Sequence, residues 1–545
     1  MQINERSDIE PSEAGASLMR GADALVDTLV QYGVDTIFAL SGNQIMPIFD
    51  ACFGKPIRLI HTRHEAATGF MAEAYAQITG QVGVALVTAG GGLTNAITPL
   101  FSARASQTPL LLISGDSPTS QDGTGSFQEM DQIEVTRSLT KASYRATSPD
   151  QLRCLVRTAL DTARSGVPGP VHLAVPEDCA RGDSGQEPLS NLYKTALESP
   201  DLSNLTQRLA QAETPLILLG PAWSSARDPE FAIALERALN VPVLSLESPR
   251  GLADPALGRW KRLAQECDLV ISLGKPVDFT LQFGDTPTWP NASWFFVSPD
   301  PQERQRAKLN LGDRLVGCLS ADPREFRRAL IEQIPVSPAS AIDWLSYSRK
   351  TIQSRPMAPV ANGKLTSASL CSAVEHQISN SEQSIVICDG GEFGQWAQTI
   401  ASGQRRIING VSGVIGGGLC YALGARAAAP KADIFSLMGD GTAGFHLTEF
   451  ETAIREDLPF VAIIGNDQRW NAEHLIQMRN FGADRLHNCA LSPARYDVAV
   501  AGLGGFGAHV TTGTELNAAL SEAMACGRAA CINVEIDGAP APEFG

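Results

Sequence analysis

The chain has 545 residues, 43% of them apolar and 19% charged, with a formal net charge of −16. That length exceeds what one hydrophobic core can serve, so roughly two to four domains are expected. The acidic balance leaves no basic patch to neutralise phosphates, which excludes a nucleic-acid or anionic-membrane partner from the expectation, and no run of about 18 apolar residues marks a membrane span.

Residues 1–16 are polar and acidic and lack the basic start and apolar run of a secretory signal, so they read as a disordered leader. Eleven cysteines are scattered without a Cys-x-x-Cys pair. They read as reduced thiols of a cytoplasmic protein, with no structural zinc site.

The first block, residues 17–182, alternates a helical pattern (Gly21 to Tyr32) with short β-branched runs at Thr36–Ala39, Gly83–Thr88, Pro109–Ser114 and Pro170–Val175. Strands spaced by helices imply a doubly wound parallel sheet. An apolar run, Ile57 to Ile60, precedes Arg63-His64-Glu65-Ala66-Ala67, where an Ala/Gly-rich helix begins. Gly182 to Pro200 is polar and reads as a linker. The central block, 201–335, repeats the pattern with strands at Pro215–Leu219, Val241–Leu246, Leu269–Leu273 and Trp294–Val297. Ile334–Ala341 and Pro356–Gly363 are proline-bearing breaks. The third block, 364–540, has strands at Ser384–Cys388, Asp433–Leu437, Phe460–Ile464 and Ala530–Ile536. The fold class is therefore α/β, with three doubly wound parallel-sheet domains.

In the third block the strand Asp433–Leu437 runs into Gly439-Asp440-Gly441-Thr442, and the next strand ends in Gly465-Asn466-Asp467. Ligands of open parallel sheets sit at the carboxyl ends of strands. Two hard oxygen ligands on neighbouring strand tips suit Mg²⁺, which takes its other ligands from phosphate and water.

This pairing resembles the thiamine-diphosphate motif, Gly-Asp-Gly followed at a set distance by Asn-Asn. The resemblance makes Asp440, Asp467 and the main-chain carbonyl of Arg469 the Mg²⁺ ligands, with Asp467 standing where the family usually has Asn. It extends over nearly the whole chain after Ser17, and its nearest family is that of acetolactate synthase and benzaldehyde lyase. Arg63 to Ala67 resembles that family's segment in which the Glu activates the cofactor. Glu65 is then the carboxyl at the far pyrimidine nitrogen, and an apolar pocket would help it hold a proton. Ile415, between Gly413 and Gly416, matches the apolar prop that bends the cofactor, and the Gly413 carbonyl would meet the pyrimidine amino group. Gly391-Glu392-Phe393 matches the other diphosphate-side loop, where backbone N–H groups rather than Glu392 make the contact. Trp470 belongs to the same cofactor-binding set.

On the substrate side the resemblance gives Gln128 a hydrogen bond to substrate or intermediate. Asn43 and Gln44 lie where benzaldehyde lyase has a small residue and then His. Glu473 falls where decarboxylases of the superfamily place a proton-relaying Glu, and Trp470 also faces substrate. His446 and His487 read as structural. In the family the central domain binds FAD or, in acyl-CoA enzymes, an ADP moiety, so FAD or a CoA/ADP group is an option here; Lys275 reads as a surface lysine near it. The implied activity is a carboligase or lyase acting next to the carbonyl of a 2-oxo acid or 2-hydroxy ketone. The alternatives are a 2-hydroxyacyl-CoA lyase, an acetyltransferase to phosphate, and a non-catalytic cofactor-binding relative. The implied assembly is a homodimer or a dimer of dimers (a homotetramer), with each active site shared between subunits.

Overall fold

A computed structural model describes residues 19–185, 200–321, 326–330, 341–355 and 364–542. The expected leader, most of the linker after Gly182 and most of the two proline-bearing breaks lie outside the described residues. Among the described residues no helix is long and apolar enough to cross a membrane.

Three parallel sheets carry the chain. The first has β1 (Thr36–Ala39), β2 (Arg58–His61), β3 (Gly83–Val87), β4 (Leu110–Asp116), β5 (Ser143–Arg145) and β6 (Pro170–Pro176), in the order β2-β1-β3-β4-β6-β5. The second has β7 (Pro215–Leu219), β8 (Val243–Ser245), β9 (Leu269–Leu273), β10 (Ser293–Val297) and β11 (Leu315–Leu319), in the order β11-β10-β9-β7-β8. The third has β12 (Leu365–Thr366), β13 (Ser384–Cys388), β14 (Arg405–Ile408), β15 (Asp433–Gly439), β16 (Val461–Asn466), β17 (Phe506–Val510) and β18 (Ala530–Asp537). Its order is β12-β18-β16-β15-β13-β14, with β17 also paired to β18. Apart from the short β12, the third sheet repeats the strand order of the first. The central strands β3, β4, β6, β7, β9 and β13 are buried along their whole length, as continuous apolar runs covered by helices on both faces must be.

In each sheet the winding reverses where two neighbouring strands run off in opposite directions, and a parallel sheet opens a crevice at that point, at the carboxyl ends of its strands. The reversals lie between β1 and β3, between β7 and β9, and between β13 and β15.

The first and third blocks share one core. Helix Glu65–Thr79 packs on helix Gly418–Ala428, and both belong to a single buried cluster with Leu100, Ile387, Met438 and Ile464. Small residues permit the approach: a Cβ on Gly424 would fall 2.2 Å from the Met71 carbonyl oxygen. Inside this contact Glu73 is 1% exposed. It accepts from Ser106 Oγ at 2.6 Å and from the Tyr421 hydroxyl at 3.1 Å, while burial pushes its carboxyl upward. Losing one such partner leaves a buried polar group unsatisfied, at a cost of about 1–3 kcal/mol.

Candidate active site

The crevice between β13 and β15 holds the metal-binding candidates. β15 runs on through Gly439 and β16 through Gly465 and Asn466, so Asp440 and Asp467 project from the tips of adjacent, paired strands. Glycine is required around them. A Cβ on Gly441 would lie 2.6 Å from the Trp470 ring, and one on Gly465 2.7 Å from the Phe393 ring. Asp440 is 2% exposed, and its Oδ2 has no hydrogen-bond partner. Burial pushes its carboxyl up to about 6, with backbone N–H groups of Gly441, Gln468 and Arg469 partly opposing. Burial, and then the neighbouring Asp440, push Asp467 up to about 7. Two buried carboxyls without a cation favour their neutral forms, and a divalent cation would reverse both shifts.

Behind them the chain bridges Arg469 to Ala490, through Trp470 N–H to the Cys489 carbonyl and Leu491 N–H to the Gln468 carbonyl. That pattern turns the N–H and carbonyl of Arg469 itself away from the bridge. The donor set, two carboxylates and one main-chain carbonyl, fits Mg²⁺. Among the described residues no group of three His, Cys, Asp or Glu side chains gathers elsewhere, so no zinc-type cluster competes.

The walls of the cleft come from the third block and from one central-block loop. They include Gly391, Glu392, Phe393, Gly413, Ile415, Gly439, Asp440, Gly441, Thr442, Asp467, Arg469, Trp470 and Glu473. Ile415 packs over Gly390, where a Cβ would fall 2.5 Å from Ile415 Cγ2. Gly391 opens helix Gly391–Ile400 at φ +82, which aims backbone N–H groups at the place a diphosphate would take. Trp470 meets Phe445 edge-on at 6.3 Å. Glu473 is exposed in the first turn of helix Asn471–Phe481.

Two contributors were not foreseen. Asp389, 1% exposed, accepts the N–H groups of Gly390 at 2.6 Å, Gly416 at 3.1 Å and Gly418 at 2.9 Å, and so holds the glycine loop that carries Ile415. Its only sequence signal is an acid between a strand end and two glycines. Arg250, from the central block, also lines the cleft and pairs with Glu392 at 3.5 Å. Glu392 also accepts from Ala541 N–H, so its carboxylate is committed to protein partners.

The crevice between β1 and β3 holds the other expected residues. Glu65 opens helix Glu65–Thr79, which His64 caps through Nδ1 to Ala66 N–H at 3.1 Å. Glu65 Oε2 accepts from Asn95 Nδ2 at 3.0 Å. Gln44 and Gln128 are hydrogen-bonded to each other at 2.9 Å, and Asn43 is exposed in the turn beside Gln44. None of these residues lines the cleft of the third block. Exposed aromatics stand beside both groups of residues: Phe127 (73%) next to Gln128, and Phe445 (52%) against Trp470. His446 is buried against His64 and Phe70, and His487 is exposed and bonded through its backbone to Gln477.

At the central crevice, between β7 and β9, the strand-end glycines are closely packed. A Cβ on Gly220 would lie 2.2 Å from the Gly274 carbonyl oxygen, and one on Gly274 2.7 Å from Trp223 Nε1. Gln107 of the first block donates to the Gly274 carbonyl at 3.1 Å and accepts from Ala222 N–H at 3.1 Å. Lys275 is not the surface lysine expected from the sequence. It is 1% exposed and pairs with Asp278 at 3.2 Å, because a buried ammonium needs a counter-charge. With Gln107 and Lys275 committed to protein partners, neither is offered to FAD, ADP or a CoA nucleotide at this crevice. The purified protein should therefore show no flavin band in its visible spectrum, and ADP should not raise its melting temperature. A flavin that co-purifies at one per chain would contradict this.

Two family profiles match the first and third blocks, which carry the expected cofactor and substrate residues. The thiamine pyrophosphate enzyme N-terminal TPP binding domain matches residues 19–135, and the C-terminal TPP binding domain matches 389–534. The acetolactate synthase large subunit of Mycobacterium tuberculosis is 30% identical over 548 residues, covering 96% of this chain and 97% of its own. The 2-hydroxyacyl-CoA lyase 2 of Homo sapiens is 29% identical over 546 residues (90% of this chain, 85% of its own). Its Danio rerio namesake is 30% identical over 554 residues (89% and 86%).

Proposed function

The chain belongs to the thiamine pyrophosphate enzyme family, and we propose that it is an acetolactate synthase-like carboligase or lyase, making or breaking a C–C bond beside the carbonyl of a 2-oxo acid or 2-hydroxy ketone. The observation that carries this is the cleft at β13 and β15 with the two strand-tip carboxyls Asp440 and Asp467, and Glu65 at the start of helix Glu65–Thr79 supports it as the candidate activator. Glu65 and Asp440 at the family's activator and metal-ligand positions, with an oxygen ligand still present at Asp467, speak against a purely cofactor-binding relative.

When bound, thiamine diphosphate supplies a carbanion that adds to the substrate carbonyl and stores the electron pair of the broken bond. Asp440, Asp467 and the Arg469 carbonyl would hold Mg²⁺ against the diphosphate, and the N-terminus of helix Gly391–Ile400 would donate N–H groups to it. Ile415, packed over Gly390, would support the bound cofactor. Glu65 would face its far pyrimidine nitrogen as the activating carboxyl. Gln128 donates to an oxygen at the reacting centre, with Asn43 and Gln44 behind it. Glu473 moves a proton at the mouth beside Trp470.

Because Glu65 does not line the diphosphate cleft of its own chain, a second copy would complete each site, in a homodimer or a dimer of dimers. The exposed Phe127 and Phe445 fit burial in that contact. Two separately inactive variants, Glu65→Gln and Asp440→Ala, then complement each other. Equal mixing with subunit exchange gives about a quarter of wild-type turnover, because half the dimers are mixed and each mixed dimer keeps one intact site. A site built within one chain gives none.

The 2-hydroxyacyl-CoA lyase reading stays in view because relatives that carry that name align over most of the chain. A panel of 2-oxo acids, acyloins and 2-hydroxyacyl-CoAs, with products identified by mass spectrometry, separates the two. Turnover confined to the CoA thioesters overturns the first reading.

A further inference from the structure

Thr88, Gln44 and Gln128 form a hydrogen-bonded line across the crevice between β1 and β3. The Thr88 hydroxyl donates to Gln44 Oε1 at 2.5 Å, and Gln44 Nε2 donates to Gln128 Oε1 at 2.9 Å. The line is held rigid from behind. Gln44 is 4% exposed. A Cβ on Gly115 would fall 2.8 Å from Gln44 Cβ, one on Gly42 2.3 Å from Thr88 Cβ, and one on Gly90 2.9 Å from Gln128 Cβ.

Gln128 itself sits in the left-handed region, at φ +60, a conformation a non-glycine residue keeps only when its surroundings impose it. The loop before it is drawn around Glu129, whose carboxylate accepts from the N–H groups of Gly123 at 2.5 Å, Gly125 at 2.9 Å and Ser126 at 3.0 Å.

A carboxamide has one accepting end and one donating end, so the direction of the line decides what Gln128 can offer. Thr88 makes no other side-chain hydrogen bond among the described residues. If the line ran the other way, Gln44 would donate to the Thr88 oxygen and the Thr88 hydroxyl hydrogen would lose its acceptor. In the direction found, the Thr88 hydroxyl and Gln44 Nε2 each have an acceptor, and Gln128 Oε1 is already occupied.

We propose that Gln44 is a positioning residue that fixes the polarity of Gln128, so that Gln128 meets the substrate with its NH₂ alone. The group it meets is then a hydrogen-bond acceptor, the carbonyl or carboxylate oxygen of a 2-oxo acid, and not an N–H or O–H donor. This rests on the reading that Gln128 faces the substrate.

The test uses the holoenzyme loaded with thiamine diphosphate and Mg²⁺, and two substitutions of Gln44. Gln44→Glu accepts from both Thr88 and Gln128, so the Gln128 amide must rotate and present its oxygen. Gln44→His keeps an acceptor toward Thr88 and an N–H toward Gln128. The readouts are calorimetric binding of a phosphonate analogue of a 2-oxo acid and the separate kcat and KM of the best 2-oxo acid.

Gln44→Glu should weaken the analogue and lower kcat/KM by about 100-fold or more, the loss typical of one oxyanion donor. Gln44→His should stay within about tenfold of wild type on the same scale, and Thr88→Val should fall between the two. Thiamine diphosphate affinity should be unchanged in all three, which excludes misfolding as the cause. If the wild type binds the analogue and Gln44→Glu binds it equally well, the positioning role is overturned alone. If the wild type does not bind it at all, the 2-oxo acid reading falls and takes this proposal with it.

Discussion

Replacing Glu65 with Gln is expected to lower turnover by about 100- to 10,000-fold, the span of one positioned proton-transfer group. The substitution keeps the length of the side chain, its place at the first turn of helix Glu65–Thr79 and an acceptor for Asn95 Nδ2. What it removes is the exchangeable carboxyl proton: a carboxamide donates from N–H but gives up no proton at neutral pH. A merely structural Glu65, placed at a helix N-terminus by the helix dipole, would respond differently. Its loss would cost a fraction of a kcal/mol in stability, on the order of 0.3–1 kcal/mol, and would leave turnover intact. Measuring kcat with any substrate from the panel, beside the melting temperature, separates the two. Turnover within a few-fold of wild type would remove the activator assignment.

Asp440→Ala should abolish Mg²⁺-dependent cofactor binding while leaving the apo fold at least as stable as wild type. Changing a residue that only supports a metal ligand costs roughly 10–100-fold in affinity, so loss of a ligand should exceed about 100-fold. The stability half of the prediction follows from burial. The Asp440 carboxyl is pushed up to about 6 by desolvation, above its ordinary value of 3.8. An acid raised in the folded state destabilises that state at pH values above the folded value, and the effect fades as the pH falls through it. At neutral pH the apo variant is relieved of an ionised carboxylate with an unpartnered Oδ2. Its melting temperature should hold or rise, and the increase that cofactor and Mg²⁺ give the wild type should vanish. A large fall in apo stability would mean that Asp440 is structural.

The elements that could be read along the chain are those whose chemistry is local. Gly439-Asp440-Gly441 and Asp467 sit at the ends of two strands with continuous apolar patterns, so their proximity followed from a single crossover. Buried central strands such as Leu269–Leu273 and Ser384–Cys388 were legible from composition alone. Short or edge strands were not. Arg405–Ile408 begins with two arginines, and Ser143–Arg145 and Leu365–Thr366 are only partly apolar. They become strands because a neighbouring edge offers unpaired backbone groups, which no local pattern encodes.

The same division runs through the site. Glu65 and Ile415 stood in recognisable segments. The bond between Gln44 and Gln128 joins residues 84 apart in sequence, and its direction depends on a third residue, Thr88. Arg250 reaches the cleft only because the central block docks on the third. Lys275 looked like a surface cation because its burial is set by how β9 packs. The switch-point rule unites these cases: the chain builds three such crevices, two carry the expected cofactor and substrate residues, and at the third Gly274 packs against Trp223 and Gln107.

The central claim is that the β13/β15 crevice holds thiamine diphosphate through a divalent cation, and isothermal titration of the apo protein tests it most directly. The account predicts saturable binding of one thiamine diphosphate per chain when Mg²⁺ is present, with a Kd in roughly the micromolar range, about −8 kcal/mol. It also predicts loss of that binding in EDTA and in Asp440→Ala. No heat of binding at millimolar cofactor with Mg²⁺ present, or equal binding with and without the cation, would contradict it.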